Sequence, residues 1–138
     1  MGKIYITGFN GYLGSAICQR LPKEKIVKIG NPIKKYTDPS VLTTLPKKIS
    51  SNSICLHLAS VSGVESEKNR NATFDSNVEL TKKLCDLNFS KIFFFSSSAV
   101  YGASDRVFEE EDNLNPTNYY TETKILAENI VKSSKENL

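Results

Sequence analysis

Two side chains near the end of the sequence are spaced for proton chemistry. In Tyr120-Thr121-Glu122-Thr123-Lys124 a phenol and an ammonium stand four residues apart, which on a helix puts them on one face about a turn from each other. A free phenol has a pKa near 10 and is a poor base at neutral pH, but a neighbouring cation favours the phenolate. One pKa unit corresponds to about 1.4 kcal/mol, so a modest field makes a usable base. Taken alone, the spacing describes an exposed aromatic beside a solvated lysine equally well.

At the other end, Lys3 to Ile17 reads KIYITGFNGYLGSAI, an apolar run broken by Gly8, Gly11 and Gly14. Glycines at every third position let the backbone turn sharply and let an anion approach bare main chain. A helix opening near Tyr12 would aim unpaired amides and its positive dipole end at that anion, so a pyrophosphate needs no basic side chain there. The spacing is GxxGxxG and not the GxGxxG of the dinucleotide fingerprint, and plain turn glycines remain the alternative.

These groups need a frame. Ile4-Tyr5-Ile6 reads as a strand, and the helix from Tyr12 ends at Leu21-Pro22. Ile26-Val27-Lys28-Ile29 is a second strand, stopped by Gly30-Asn31-Pro32. Val41, Leu42 and Leu45 suggest a short helix before Pro46, and Ser53 to His57 is a third strand. From Phe74 to Leu87 apolar residues form two helical stripes, Phe74, Val78 and Cys85 on one and Leu80, Leu84 and Leu87 on the other. Two stripes imply two surfaces to cover: the sheet, and either a second subunit or another part of the same one. Ile92 to Phe95 is a fourth strand, followed by Ser96-Ser97-Ser98. A solvated acidic run, Glu109 to Asp112, leads to a helix start at Pro116-Thr117-Asn118 and a helix through about Val131.

Strands alternating with helices imply a doubly wound parallel sheet, an α/β Rossmann-like fold in a single domain over residues 1–138. Ligands of such sheets bind beyond the carboxyl ends of the strands. That directs attention to Gly8 to Gly14, His57 to Ser60, and Ser96 to Gly102. His57, the single histidine, reads as a packed, hydrogen-bonded residue and not as a base.

Composition narrows the partners. With 18 basic against 15 acidic residues the net charge is +3 and the lysines are scattered, so no footprint for nucleic acid stands out. No apolar run reaches the roughly 18 residues of a membrane span, and the N-terminus carries no signal-peptide pattern. Cys18, Cys55 and Cys85 lie far apart in apolar contexts, which reads as buried thiols, no metal site and a cytoplasmic location.

The order of motifs carries a resemblance. GxxGxxG, then His57-Leu58-Ala59-Ser60, then Ser96-Ser97-Ser98-Ala99-Val100-Tyr101-Gly102, then Pro116 and Tyr120 to Lys124, resembles the extended short-chain dehydrogenase/reductases, the nucleotide-sugar epimerase and dehydratase family. The resemblance implies NAD or NADP as cofactor. Its binding set would be Gly8, Phe9, Asn10, Gly11, Tyr12, Leu13, Gly14, Leu58, Ala59, Ser60, Ser96, Tyr120 and Lys124. It also implies Ser97 as a hydrogen-bond donor to the substrate hydroxyl, Tyr120 as the acid/base, and Lys124 as the residue that holds the nicotinamide ribose and favours the phenolate. Asn77, in NVELT, matches a structural position. A nucleotide-sugar substrate and a homodimer through helices 74–87 and 118–131 follow from the same likeness.

Three departures from the family pattern bear on function. Gly30-Asn31 replaces the strand-two acid that grips the adenosine ribose, which leaves NADP as open as NAD, with Lys34 or Lys35 within reach of a 2'-phosphate. Ser98 and Ala99 stand where dehydratases of the family carry Asp-Glu, which favours an epimerase or ketoreductase. The chain has 138 residues where family members run to roughly twice that, so the strand IFFF would form an uncovered apolar edge. A cofactor-binding module without turnover is the rival reading.

Overall fold

The computed structural model describes residues 2–30, 45–50 and 52–135. Its elements are β1 (Ile4–Thr7), α1 (Tyr12–Arg20), β2 (Ile26–Ile29), β3 (Ile54–His57), α2 (Val64–Lys68), α3 (Arg70–Phe74), α4 (Leu80–Cys85), β4 (Lys91–Phe94) and α5 (Tyr119–Lys135). A π-helical turn, Asp75–Glu79, joins α3 to α4, and short 3-10 turns occupy Lys23–Lys25 and Ser98–Tyr101.

The sheet is parallel throughout, in the order β2-β1-β3-β4. The chain steps from β1 to β2 on one side and returns to place β3 on the other, so the direction of winding reverses between β1 and β3. This is the Rossmann-like arrangement, with the switch point beside Thr7 and His57, which are register partners.

Strand alternation sends Tyr5, Val27, Cys55 and Ile92, aligned across all four strands, to one face. There Tyr5, Ile29 and Cys55 pack with Leu80 and Leu84 of α4 and with Phe89. Leu84 is wholly buried, and each such leucine contributes roughly 1.5–3 kcal/mol. Tyr5 meets Phe89 edge to face, with ring centroids 5.2 Å apart.

Four elements depart from the sequence expectation. The helix expected over 74–87 begins at Arg70 and is interrupted by the π turn. Helix α2, in the polar stretch Val64–Lys68, has no apolar stripe to announce it. Strand β4 starts at Lys91 and ends at Phe94, one residue earlier than expected, and α5 runs on to Lys135. The apolar stripes of the helical run are met within the subunit, where the π turn and α4 pack on α5 as well as on the sheet. Of the thiols only Cys55 is buried, while Cys18 and Cys85 are half-buried, and none of the three is in a disulfide. The expected short helix at Val41, Leu42 and Leu45 falls, apart from Leu45, outside the described residues, as do Asn31, Pro32, Lys34 and Lys35.

Candidate functional site

The site begins at the turn after β1. Gly8 has φ +64, and a Cβ there would sit 2.7 Å from the Ala59 amide nitrogen. At Gly14 a Cβ would lie 2.1 Å from the Gly8 carbonyl oxygen. Both positions therefore require glycine for the turn itself. Gly11 differs, because its Cβ would meet only Gly8 O, at 3.3 Å, and its φ is an ordinary −75°. Gly11 is also the N-cap of α1, and no side chain caps that helix. A cradle of bare backbone under an uncapped helix N-terminus fits the pyrophosphate of a dinucleotide. Phe9 is buried beneath Lys28, whose ammonium lies 5.2 Å from the ring centroid, whereas Asn10, Tyr12 and Leu13 face outward.

A hydrogen-bond relay fixes the second segment. The Leu58 and Ala59 amides each donate to Thr7 Oγ1 at 3.1 Å. Thr7 Oγ1 lies 2.7 Å from His57 Nδ1, His57 Nε2 lies 2.9 Å from Thr81 Oγ1, and Thr81 donates to the Asn77 carbonyl at 2.7 Å. Because the Thr81 proton goes to Asn77, His57 Nε2 must donate, and Nδ1 must accept from Thr7. One neutral tautomer satisfies every group. Burial, and then the positive charge of Lys124, push the imidazole down to about 3. His57 is thus the packed residue its sequence setting suggests.

Asn77 extends the relay to the last helix. Its carboxamide accepts from the Val61 amide at 2.8 Å and from Ser60 Oγ at 3.3 Å, and donates to Val61 O and Thr123 Oγ1, both at 3.0 Å. Inserting one extra residue per turn at Asp75–Glu79 delivers this side chain into the loop after β3. Thr7, Thr81 and Thr123 were not among the sequence candidates. The signal for them is positional, a hydroxyl at each point where helix or strand meets the switch point.

Helix α5 positions Tyr120 and Lys124. Asn118 Oδ1 accepts from the Thr121 amide at 3.0 Å, and Thr121 Oγ1 accepts in return from the Asn118 amide at 3.2 Å, a reciprocal cap at the expected start. Glu67 adds a carboxylate at the first helical amide, 2.7 Å from Tyr119 N, while bonding Arg70 at 2.8 Å. Arg70 and Tyr119 hold Glu67 below the usual carboxylate range, the arginine bond contributing most.

Tyr120 is half-buried and Lys124 is 2% exposed. The Lys124 ammonium donates to Phe95 O at 2.5 Å and sits 4.1 Å from the Phe94 ring centroid. Burial pulls its pKa down to about 8, against the opposing charge of Glu128. Ser96 donates to Glu128, and Ser97 caps the 3-10 turn by accepting from the Ala99 amide at 3.2 Å. The three strand-end segments and α5 are thereby linked into one region at the carboxyl edge of the sheet. Among the described residues no cluster of His, Cys, Asp or Glu could hold a metal ion, and no helix is long and apolar enough to cross a membrane.

The sequence profile of the NAD dependent epimerase/dehydratase family matches residues 4–137. The chain belongs to this family. A UDP-glucose 4-epimerase from Lactobacillus helveticus is 31% identical over an alignment 156 positions long, gaps included, which covers 94% of this chain and 46% of that protein. Two solved structures show the same fold. One is a point mutant of UDP-glucuronic acid 4-epimerase from Bacillus cereus, in complex with UDP-4-deoxy-4-fluoro-glucuronic acid and NAD, at TM-score 0.76 and 23% identity. The other is dTDP-4-dehydrorhamnose reductase from Bacillus anthracis in complex with NADP, at TM-score 0.74 and 24% identity. They are covered over 52% and 50% of their lengths by 98% and 96% of this chain, so this epimerase/dehydratase family member spans about half of its relatives.

Proposed function

We propose that the chain is the cofactor-binding part of an NAD(P)-dependent nucleotide-sugar epimerase or ketoreductase, with Tyr120 as its acid/base. The observation that carries this reading is the joining of a bare glycine cradle, through Thr7, His57, Asn77 and Thr123, to the helix that bears Tyr120 and Lys124. The nicotinamide, when bound, supplies acceptance and return of a hydride at a sugar carbon. Gly8, Gly11 and Gly14 hold the pyrophosphate, and Leu58, Ala59, Ser60 and Ser96 line the adjoining cofactor surface. Tyr120 takes the proton of the sugar hydroxyl as a phenolate, and Ser97 hydrogen-bonds the same hydroxyl. Lys124 would supply the positive charge that favours the phenolate and would hold the nicotinamide ribose. A homodimer through the outer faces of helices 74–87 and 118–131 belongs to the same reading, supported by Leu126 on α5, which is 46% exposed.

The test is Tyr120→Phe assayed with UDP-sugars. Cofactor binding stays intact and turnover falls by two orders of magnitude or more, on the order of the contribution of a positioned acid/base. Undiminished turnover removes Tyr120 from the mechanism. The rival reading is a cofactor-binding module without turnover. Cofactor affinity without hydride exchange in the unmodified chain would select it.

A further inference from the structure

Helix α5 carries a third functional group on the face of Tyr120 and Lys124. Glu128 follows Lys124 by four residues, as Lys124 follows Tyr120, so the three side chains form one line along the helix. Glu128 is no freely solvated surface carboxylate: its side chain is 17% exposed. One oxygen receives the Ser96 hydroxyl and the other lies 3.6 Å from Lys132 Nζ. Ser96 immediately follows Phe95, whose carbonyl holds the Lys124 ammonium. The carboxylate is therefore fixed to the same strand end as the cation.

Among the described residues, the other groups at Lys124 are neutral or repulsive. Strand β4 supplies a carbonyl and the Phe94 ring, β3 supplies His57, whose single neutral tautomer is locked by the relay, and Lys132 lies a turn beyond Glu128. An ammonium that is 2% exposed loses most of its hydration and needs a counter-charge to stay protonated. We propose that Glu128, anchored by Ser96, is the positioning residue that supplies this counter-charge and so keeps Lys124 cationic for its work beside Tyr120. The proposal rests on the enzymatic reading above for its purpose, but its test does not use activity.

The test follows the side-chain resonances of Lys124 by NMR in the cofactor-free chain, assigned with Lys124→Arg and titrated against pH. Glu128→Gln is isosteric and keeps an acceptor for Ser96, and Glu128→Asp keeps the charge; far-UV circular dichroism checks that both fold. The expected result is a midpoint lowered by about half a pH unit or more in Glu128→Gln, with at least half of that recovered in Glu128→Asp, as for a poorly screened charge one turn away. An unchanged midpoint in Glu128→Gln, or equal shifts in both variants, overturns the proposal. Because Tyr120→Phe reports on turnover alone, failure of the titration and failure of the enzymatic reading are told apart.

Discussion

Gly11 and Gly14 look alike in the sequence but answer to different demands. At Gly14 an added methyl collides with backbone of the turn, so Gly14→Ala is expected to lower stability by about 2 kcal/mol or more, read from the denaturation midpoint. At Gly11 the methyl would meet only Gly8 O, at 3.3 Å, so the turn has to give by no more than a few tenths of an ångström, and Gly11→Ala is expected to cost less stability than Gly14→Ala while losing at least tenfold in NAD(P) affinity, read by titration calorimetry. Lys124 shows the converse, a side chain held at a cost to the fold. Its folded pKa of about 8 lies below the ordinary 10.5, so between those values the unfolded chain binds the extra proton and stability rises with pH. Below pH 8 the full cost of the buried charge is felt. Lys124→Met is therefore expected to gain stability relative to the parent at pH 7, with that advantage shrinking by about 2 kcal/mol by pH 10 in urea unfolding. His57 acts in another window: its folded value of about 3 against the ordinary 6.5 makes stability fall on acidification from pH 6.5 toward 3.

The start of α5 decides where Tyr120 stands, and three acceptors serve it: Asn118, Thr121 and Glu67. Asn118→Ala removes the acceptor for the third helical amide and is expected to cost about 1 kcal/mol, seen in the chemical denaturation midpoint. Strands and long helices were legible because short apolar runs are bounded by Gly8, Pro22, Gly30 and Asn118, whose backbone preferences are local. Helix α2 and the π turn were not, because Glu65, Lys68, Asn69 and Arg70 carry no apolar period and the turn owes its form to partners distant in sequence, Val61 and Thr123. At the site, the glycines and the Tyr120 to Lys124 spacing could be read directly. The hydroxyls of Thr7, Thr81 and Thr123 could not, since a threonine's role depends on which donor the fold brings to it.

At the scale of the molecule, β4 closes the sheet on a side where Phe93 and Phe95 remain exposed and, with Ile92 and Val131, line an open groove of about 460 Å³. An uncovered apolar edge invites pairing, so the 138-residue chain is expected to self-associate with rising concentration, and Phe93→Lys to reduce that in sedimentation velocity. The relay that braces the site has a different reach. Thr7 is synthesised well before its partners: its hydroxyl waits for amides 51 and 52 positions later, and His57 for a threonine 24 positions beyond itself. A nascent chain that has not yet exposed Thr81 holds every glycine of the cradle but lacks the end of the relay that fixes His57. The glycine turn is made before the groups that render it rigid.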